Sequence, residues 1–346
     1  MNKPLTISVQ TQDRKIYRKD RLTATLCQAA QEDRDVVIDF YPEGSCAEQL
    51  GLYRMLDEFC DRLAFDRTRV TIQTANMLEA HSDYRVVRCP DYWYEVQQVQ
   101  DWHRSNSVDT GDNPTRHFGC FVSRTTWARL WIATYLDLRH RDRTLQTYHY
   151  DRQRENYNRN GYVGLDDLFQ RDCDIIPECA AFLTNCPRTI DLDFLKHADT
   201  SQSIFQHPGS YYPIQVPANL NLINFYYDIF VDIVTEPNVS GNNFLVTEKL
   251  WRCIIARRPF IVLGTGSYLY HLRKLGFQTF GRWWSEDYDG QTDQTRIKMI
   301  VELLDEIADW NHEKCRVILN DMQSVLEHNY EIFMQLRYEK LREIFC

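Results

Sequence analysis

Residues 247–251 read Thr-Glu-Lys-Leu-Trp, and the lysine among them runs against ordinary helix chemistry. Thr247 suits an N-cap, and Leu250, Trp251, Ile254 and Ile255 share one helical face, so a helix should begin at Glu248. An acid in the first turn complements the helix dipole, whereas Lys249 opposes it. An anion at the helix start would explain the lysine, because dipole and backbone N–H groups both favour negative charge there. Glu248 has the chemistry to accept hydrogen bonds from ribose hydroxyls. In the competing account Glu248 only complements the dipole and Lys249 is a surface residue; spacing alone weighs the two equally.

The elements around this pair are those an anion site needs. Arg257 and Arg258 close the helix, Pro259 stops it, and PFIVLG (259–264) is a continuous apolar run suited to a parallel strand buried on both faces. The glycines of LGTGS allow a close turn at its carboxyl end, where open α/β sheets bind ligands. A second such place is HFGCFVSRTTWARL (117–130), which reads strand, turn and helix. It sets Arg124 at a strand end with a guanidinium suited to phosphate, and Arg129 one turn on is a weaker candidate. A surface ion pair is the alternative for Arg124.

In the first half of the chain, β-rich runs at TISVQ, VVIDFY, VTIQTA and FGCFVS alternate with helical patterns, and a polar stretch at 151–174 interrupts the alternation. In the second half YDIFVDIVTE, TEKLWRCIIARR, PFIVLG and GSYLYHLRKLG resume it, and long helices follow Asp293. The expected fold class is α/β with two Rossmann-like domains in tandem and C-terminal helices. The expected domains are 1–170, 171–325 and a last helix, 326–346, packing back on the first domain.

At 346 residues and 43% apolar composition the chain can build two cores. It has no apolar leader and no run long enough to span a bilayer, which points to the cytoplasm. Eleven cysteines without a C-x-x-C pair read as reduced thiols, and Cys173, Cys179 and Cys186 lack the histidines of a zinc site. A net charge of −9 argues against a general nucleic-acid binder, although residues 138–159 carry six arginines with interleaved tyrosines. Aspartates and a glutamate mixed among them favour a solvated face over an acceptor-docking one.

The stretch DIVTEPNVSGNNFLVTEKLWRCIIARRPFIVLG (232–264) resembles the donor-binding core of family 10 α1,3-fucosyltransferases, in which a strand, FENS, a loop, YxTEKLW, a helix and a PVVxG strand follow one another. The resemblance covers about a tenth of the chain. It is also similar to a broader group of bacterial and phage glycosyltransferase-like proteins that carry a segment like GFQTFGRWWSEDYD (276–289). The resemblance sets Glu236 and Asn238 near the FENS acid and amide, and Thr247, Glu248 and Lys249 in TEK. It implies that Glu248 contacts the nucleotide ribose, that Lys249 contacts the diphosphate, and that Arg124 holds the diphosphate from the other side. The sequence departs from the family in a loop two residues longer and in Leu245 where tyrosine is frequent, and it lacks the acceptor-side motifs.

The implied fold is GT-B, two Rossmann-like domains facing a cleft, and the implied partners are a nucleotide sugar, with a GDP-sugar such as GDP-fucose favoured, and a hydroxyl acceptor on a glycan or other biomolecule. Inverting transfer needs a carboxylate base and cations for the leaving diphosphate. Glu43, in a Pro-Glu-Gly turn after VVIDFY, is the candidate base, with Asp39, Glu48 and Asp83 as competitors. Trp283, Trp284, Glu286 and Asp289 are a candidate sugar platform, although packed aromatics are the commoner case. No metal or other cofactor is expected. Asp172-Cys-Asp174 and Asp191-Leu-Asp193 have the letters of a metal-binding D-x-D pair without a clear buried strand before them. Gly264 and Gly266 lack the third glycine of a dinucleotide fingerprint. Two rivals stay open: an idle nucleotide-sugar-fold binding or assembly protein, and a phage-type enzyme acting on modified DNA bases.

Overall fold

Eight runs of branched and aromatic residues form two four-stranded sheets, every pairing within them parallel. The computed structural model describes residues 3–9, 11–12, 15–16, 19–40, 45–90, 93–105, 113–122, 125–148, 165–186 and 225–345. Glu43, Arg124, Asp191, Asp193 and all of the arginine-rich segment beyond residue 148 lie outside them. The α/β fold class expected from the sequence is the one observed.

The chain divides into two compact units. The first comprises Met1–Tyr94, Ser240–Leu245 and Arg337–Cys346. Its sheet contains β1 (Leu5–Ser8), β4 (Val36–Phe40), β5 (Val70–Thr74) and β6 (Arg85–Arg88) in that order, while β2 (Thr11–Gln12) and β3 (Lys15–Ile16) form a small hairpin. Ile7, Ile38 and Ile72 stand in register and point into a core shared with Leu22, Leu26 and Ala29 of α1 (Lys19–Gln31) and Leu52, Leu56 and Phe59 of α2 (Leu52–Leu63). Period-two alternation in β4 and β5 lets each strand feed that core with every second residue.

Asn76, just past β5, acts in this unit as a substitute strand partner. Its Oδ1 accepts from the backbone N–H groups of Phe244 and Leu78 at 3.0 Å, and its Nδ2 donates to Asn242 O and to Glu79 Oε2 at 3.0 Å. Met77 N donates to Phe244 O at 3.1 Å, and the Phe244 ring lies between Trp93 and Phe345. Asn76→Ala removes the partner of four groups, two of them buried, and should cost about 2–4 kcal/mol in urea unfolding, whereas loss of an idle polar group would cost nothing measurable.

The second unit comprises Glu95–Val239 and Val246–Leu336. Its sheet runs β10 (Phe260–Leu263), β9 (Ile229–Thr235), β7 (Arg116–Val122), β8 (Thr144–Tyr148). This corrects the domain division expected near residue 170. FGCFVS is a central strand of the second sheet, and the units part between Tyr94 and Glu95. The reason is burial: β7 is covered on both faces from His117 onward and needs β8 on one side and β9 on the other. The boundary falls after the first residue of α3 (Tyr94–Ser105), with no polar linker to announce it.

Around this sheet lie α4 (Trp127–Arg139), α5 (Ile176–Thr184), α6 (Glu248–Ile255), α7 (Tyr268–Lys274), α8 (Asp293–Ala308), α9 (His312–Asp321) and α10 (Gln323–Gln335). The last helix, α11 (Tyr338–Phe345), belongs to the first unit. Gln100 Nε2 satisfies the carboxyl end of α10 through Phe333 O (2.6 Å) and Leu336 O (3.0 Å), and Phe333 stacks on Trp251 of α6 at 4.9 Å. Strand order reverses between β7 and β9, since the chain adds β8 on one side of β7 and then β9 and β10 on the other. That reversal is the topological switch point, and its crevice opens at the carboxyl ends of the strands. Among the described residues no helix is long and apolar enough to cross a membrane, and the described cysteines are free thiols.

Candidate nucleotide site at the switch point

The fully buried run of β9 ends at Thr235 and delivers Glu236 to the switch point. Backbone pairing continues one step further, with Glu236 N donating to Leu263 O at 2.9 Å. The Glu236 side chain is buried and collects donors from two loops. Oε2 accepts from the Thr247 hydroxyl at 2.7 Å, and Oε1 accepts from the Tyr268 hydroxyl at 2.8 Å and from Thr247 N at 3.3 Å. Burial pushes the Glu236 carboxyl above its ordinary range, against the pull of Lys249 and of these donors. On the β7 side, Arg129 donates from Nε (3.2 Å) and Nη2 (2.7 Å) to Thr235 O and so fixes the end of β9. Asn238 lies half-buried two residues beyond Glu236.

Helix α6 begins at Glu248 with Thr247 in the N-cap position, as expected, but Thr247 does not cap it with its side chain. Its backbone is extended (φ −102°, ψ 174°), and its hydroxyl is spent as a donor to Glu236. Lys249 Nζ donates to Glu248 Oε1 at 2.8 Å and to Thr247 Oγ1 at 3.3 Å. With side-chain exposures of 10% for Lys249 and 15% for Glu248, neither is a surface residue. An ammonium group has three N–H donors, and among the described residues two of them have partners. Burial acts to raise the Glu248 carboxyl, but Lys249 and Arg252 outweigh it and hold it down to about 2.

A depressed carboxylate contributes stability that is present above its unfolded pKa and is lost as pH falls through the folded one. The stability lost in Glu248→Gln, read by urea unfolding, should therefore be constant above pH 4.5 and shrink as pH falls toward about 2. A difference that does not vary with pH would mean that the Glu248 charge is not engaged.

The loop after β10 completes the array. The Tyr268 ring lies so close over Gly264 that a Cβ there would meet it at 2.8 Å, and this contact aims the hydroxyl at Glu236. Ser267 takes a left-handed conformation (φ 61°) and gives α7 no cap; Asp289 supplies one, accepting from Leu269 N (2.9 Å) and Tyr270 N (3.2 Å).

The other residues of the candidate sugar platform are equally engaged. Trp284 is buried against Phe280 and Phe230, Trp283 donates to Asp321 at 2.7 Å, and Glu286 accepts from Thr279 Oγ1 (2.7 Å) and Phe280 N (2.6 Å). This is a packed corner. Asp172 of the first D-x-D pair is exposed and bound to Lys298 at 2.5 Å. No group of residues that could hold a metal ion occurs among those described.

In the first unit, Asp39 lies in β4, while Glu48 and Asp83 are exposed. Sequence reasoning missed the buried acid there, Glu79, which accepts from Tyr53 OH (2.9 Å), Asn76 Nδ2 (3.0 Å) and Ala47 N (3.1 Å). It also missed Tyr268, for which the only signal was an aromatic residue directly after the glycine turn.

The second unit is thus a parallel α/β sheet whose switch point carries a buried glutamate, a buried lysine and an ionised carboxylate at a helix N-terminus. No family model matches the chain, and no curated protein sequence matches it. Among solved structures it is similar to the crystal structure of an α,α-trehalose-phosphate synthase (UDP-forming) from Burkholderia vietnamiensis, at 10% identity and a TM-score of 0.45, over 98% of this chain and 72% of that one. A likeness at that distance assigns no residue, donor or acceptor to this chain.

Proposed function

We propose that the chain is a GT-B-type glycosyltransferase that moves a sugar from a nucleotide-sugar donor, bound by the second unit, to a hydroxyl acceptor. The observation that carries this reading is Lys249: a buried ammonium in the first turn of α6, at the switch point, with two of its three donors engaged among the described residues. In this reading Lys249 meets the donor's diphosphate and stabilises the charge that grows on it as the sugar leaves. Glu248, ionised throughout the physiological range, accepts from the ribose hydroxyls. Glu236 and Thr247 hold the helix start where both can act, and Asn238 borders the same loop.

The resemblance to family 10 enzymes favours a GDP-sugar such as GDP-fucose and inverting transfer. Lys249, Arg124 and the helix N-terminus supply positive charge at the diphosphate, so the reaction is read as metal-independent, with Glu43 as the base toward the acceptor. A thermal-shift panel of GDP, UDP, CMP and ADP, each with magnesium and with EDTA, tests the donor site, because a ligand bound only by the native state raises apparent stability. One nucleotide should raise Tm equally in both conditions; a shift that needs magnesium would refute metal independence, and no shift with any of the four would refute the donor site.

A further inference from the structure

Arg296 on α8 is buried, and its guanidinium is bonded to three backbone carbonyls from three separate turns. Nη1 donates to Val239 O at 2.9 Å and to Gly264 O at 2.7 Å, and Nη2 donates to Gln291 O at 2.5 Å. Val239 lies in the loop after β9 and Gly264 directly follows β10, so one planar cation ties together the two loops that border the candidate site. The fit is close: a Cβ on Gly266 would stand 3.1 Å from Nη2.

A chain of contacts leads from there to Lys249. Arg296 holds the Gly264 carbonyl, and the Tyr268 ring rests on Gly264. Tyr268 OH donates to Glu236, Glu236 holds Thr247, and the Thr247 hydroxyl accepts from Lys249. We propose that Arg296 is a positioning residue for donor binding, which fixes the spacing of the β9 and β10 loops and thereby sets Lys249 and Glu248 for the diphosphate and ribose. The proposal rests on the donor site put forward above. The fork of a guanidinium spreads its donors far enough apart to reach carbonyls on divergent loops at once, whereas an ammonium is a compact point donor.

The second unit contains its own control. Arg258 is also buried and also donates to a backbone carbonyl, Tyr226 O at 2.6 Å, but at the opposite, amino-terminal end of β9 and β10. Arg296→Lys and Arg258→Lys should both lower Tm. Calorimetric titration with the nucleotide that wild type binds, at a temperature where each variant is folded, separates them. Arg296→Lys should bind about 10-fold more weakly, as expected for a small misplacement of binding groups, while Arg258→Lys binds as wild type does. Wild-type affinity in Arg296→Lys, or an equal loss in Arg258→Lys, would reduce Arg296 to a packing role. If Arg296→Lys does not fold, Tyr268→Phe cuts the same chain two contacts further on, and unchanged affinity there overturns the proposal. Failure of wild type to bind any nucleotide would remove the donor site itself, an outcome distinct from wild-type binding that Arg296→Lys leaves intact.

Discussion

Lys249→Met should weaken binding of the preferred nucleoside diphosphate about 100-fold, the worth of one charge-assisted hydrogen bond to a diphosphate in a desolvated place. The effect should be this large because the ammonium is held in advance: Glu248 Oε1 at 2.8 Å and Thr247 Oγ1 at 3.3 Å orient it before any ligand arrives. Stability should fall as well, since methionine removes the ion-pair partner of the buried Glu248 carboxylate. Lys249→Arg keeps the charge and should recover most of the stability but only part of the affinity, because a planar fork cannot occupy a point-charge site. Calorimetric titration and urea unfolding on the same two variants separate the effects. If Lys249→Met loses stability while keeping wild-type affinity, the lysine serves only its ion pair.

Glu236→Ala should be the most destabilising single change at the site, by about 3–5 kcal/mol, as for breaking other buried charged networks. It strands the Thr247 hydroxyl and N–H and the Tyr268 hydroxyl, three donors from the two loops that the carboxylate joins. Glu236→Gln keeps the shape and one acceptor and should fall between. Urea unfolding reads both. Nucleotide affinity should fall in both variants even under conditions where they are fully folded, since the start of α6 is fastened to the end of β9 less firmly in Glu236→Gln and not at all through this side chain in Glu236→Ala. Wild-type stability in the alanine variant would mean that the loops are held by something other than Glu236.

The elements closest to the proposed chemistry were legible in the sequence because their signals are local. A helix from Glu248, an apolar strand at Phe260–Leu263 and a lysine set against the dipole each follow from a few neighbouring residues. The domain division was not legible. The alternation of strand and helix runs without a break through Tyr94, and the polar stretch that interrupts it at 151–174 follows a strand of the second sheet. Nor does sequence reveal which polar residues are consumed by packing. Asp289 and Trp284 looked available for a sugar, yet one caps α7 from twenty residues away and the other is core. Thr247 was expected as an N-cap and holds that position, but its hydroxyl faces Glu236, eleven residues earlier in the chain. Arg129 holds a carbonyl 106 positions away and Arg296 holds two that lie 32 and 57 positions away, and nothing local distinguishes those arginines from surface ones.

The central claim is that Lys249 faces a diphosphate, and the ratio of GDP to GMP affinity tests it most directly, since the two ligands differ only in the β-phosphate. Titrated calorimetrically, wild type should prefer GDP by about 100-fold and Lys249→Met should bind the two almost equally. A preference for GDP that survives intact in Lys249→Met would place the β-phosphate elsewhere and contradict the assignment.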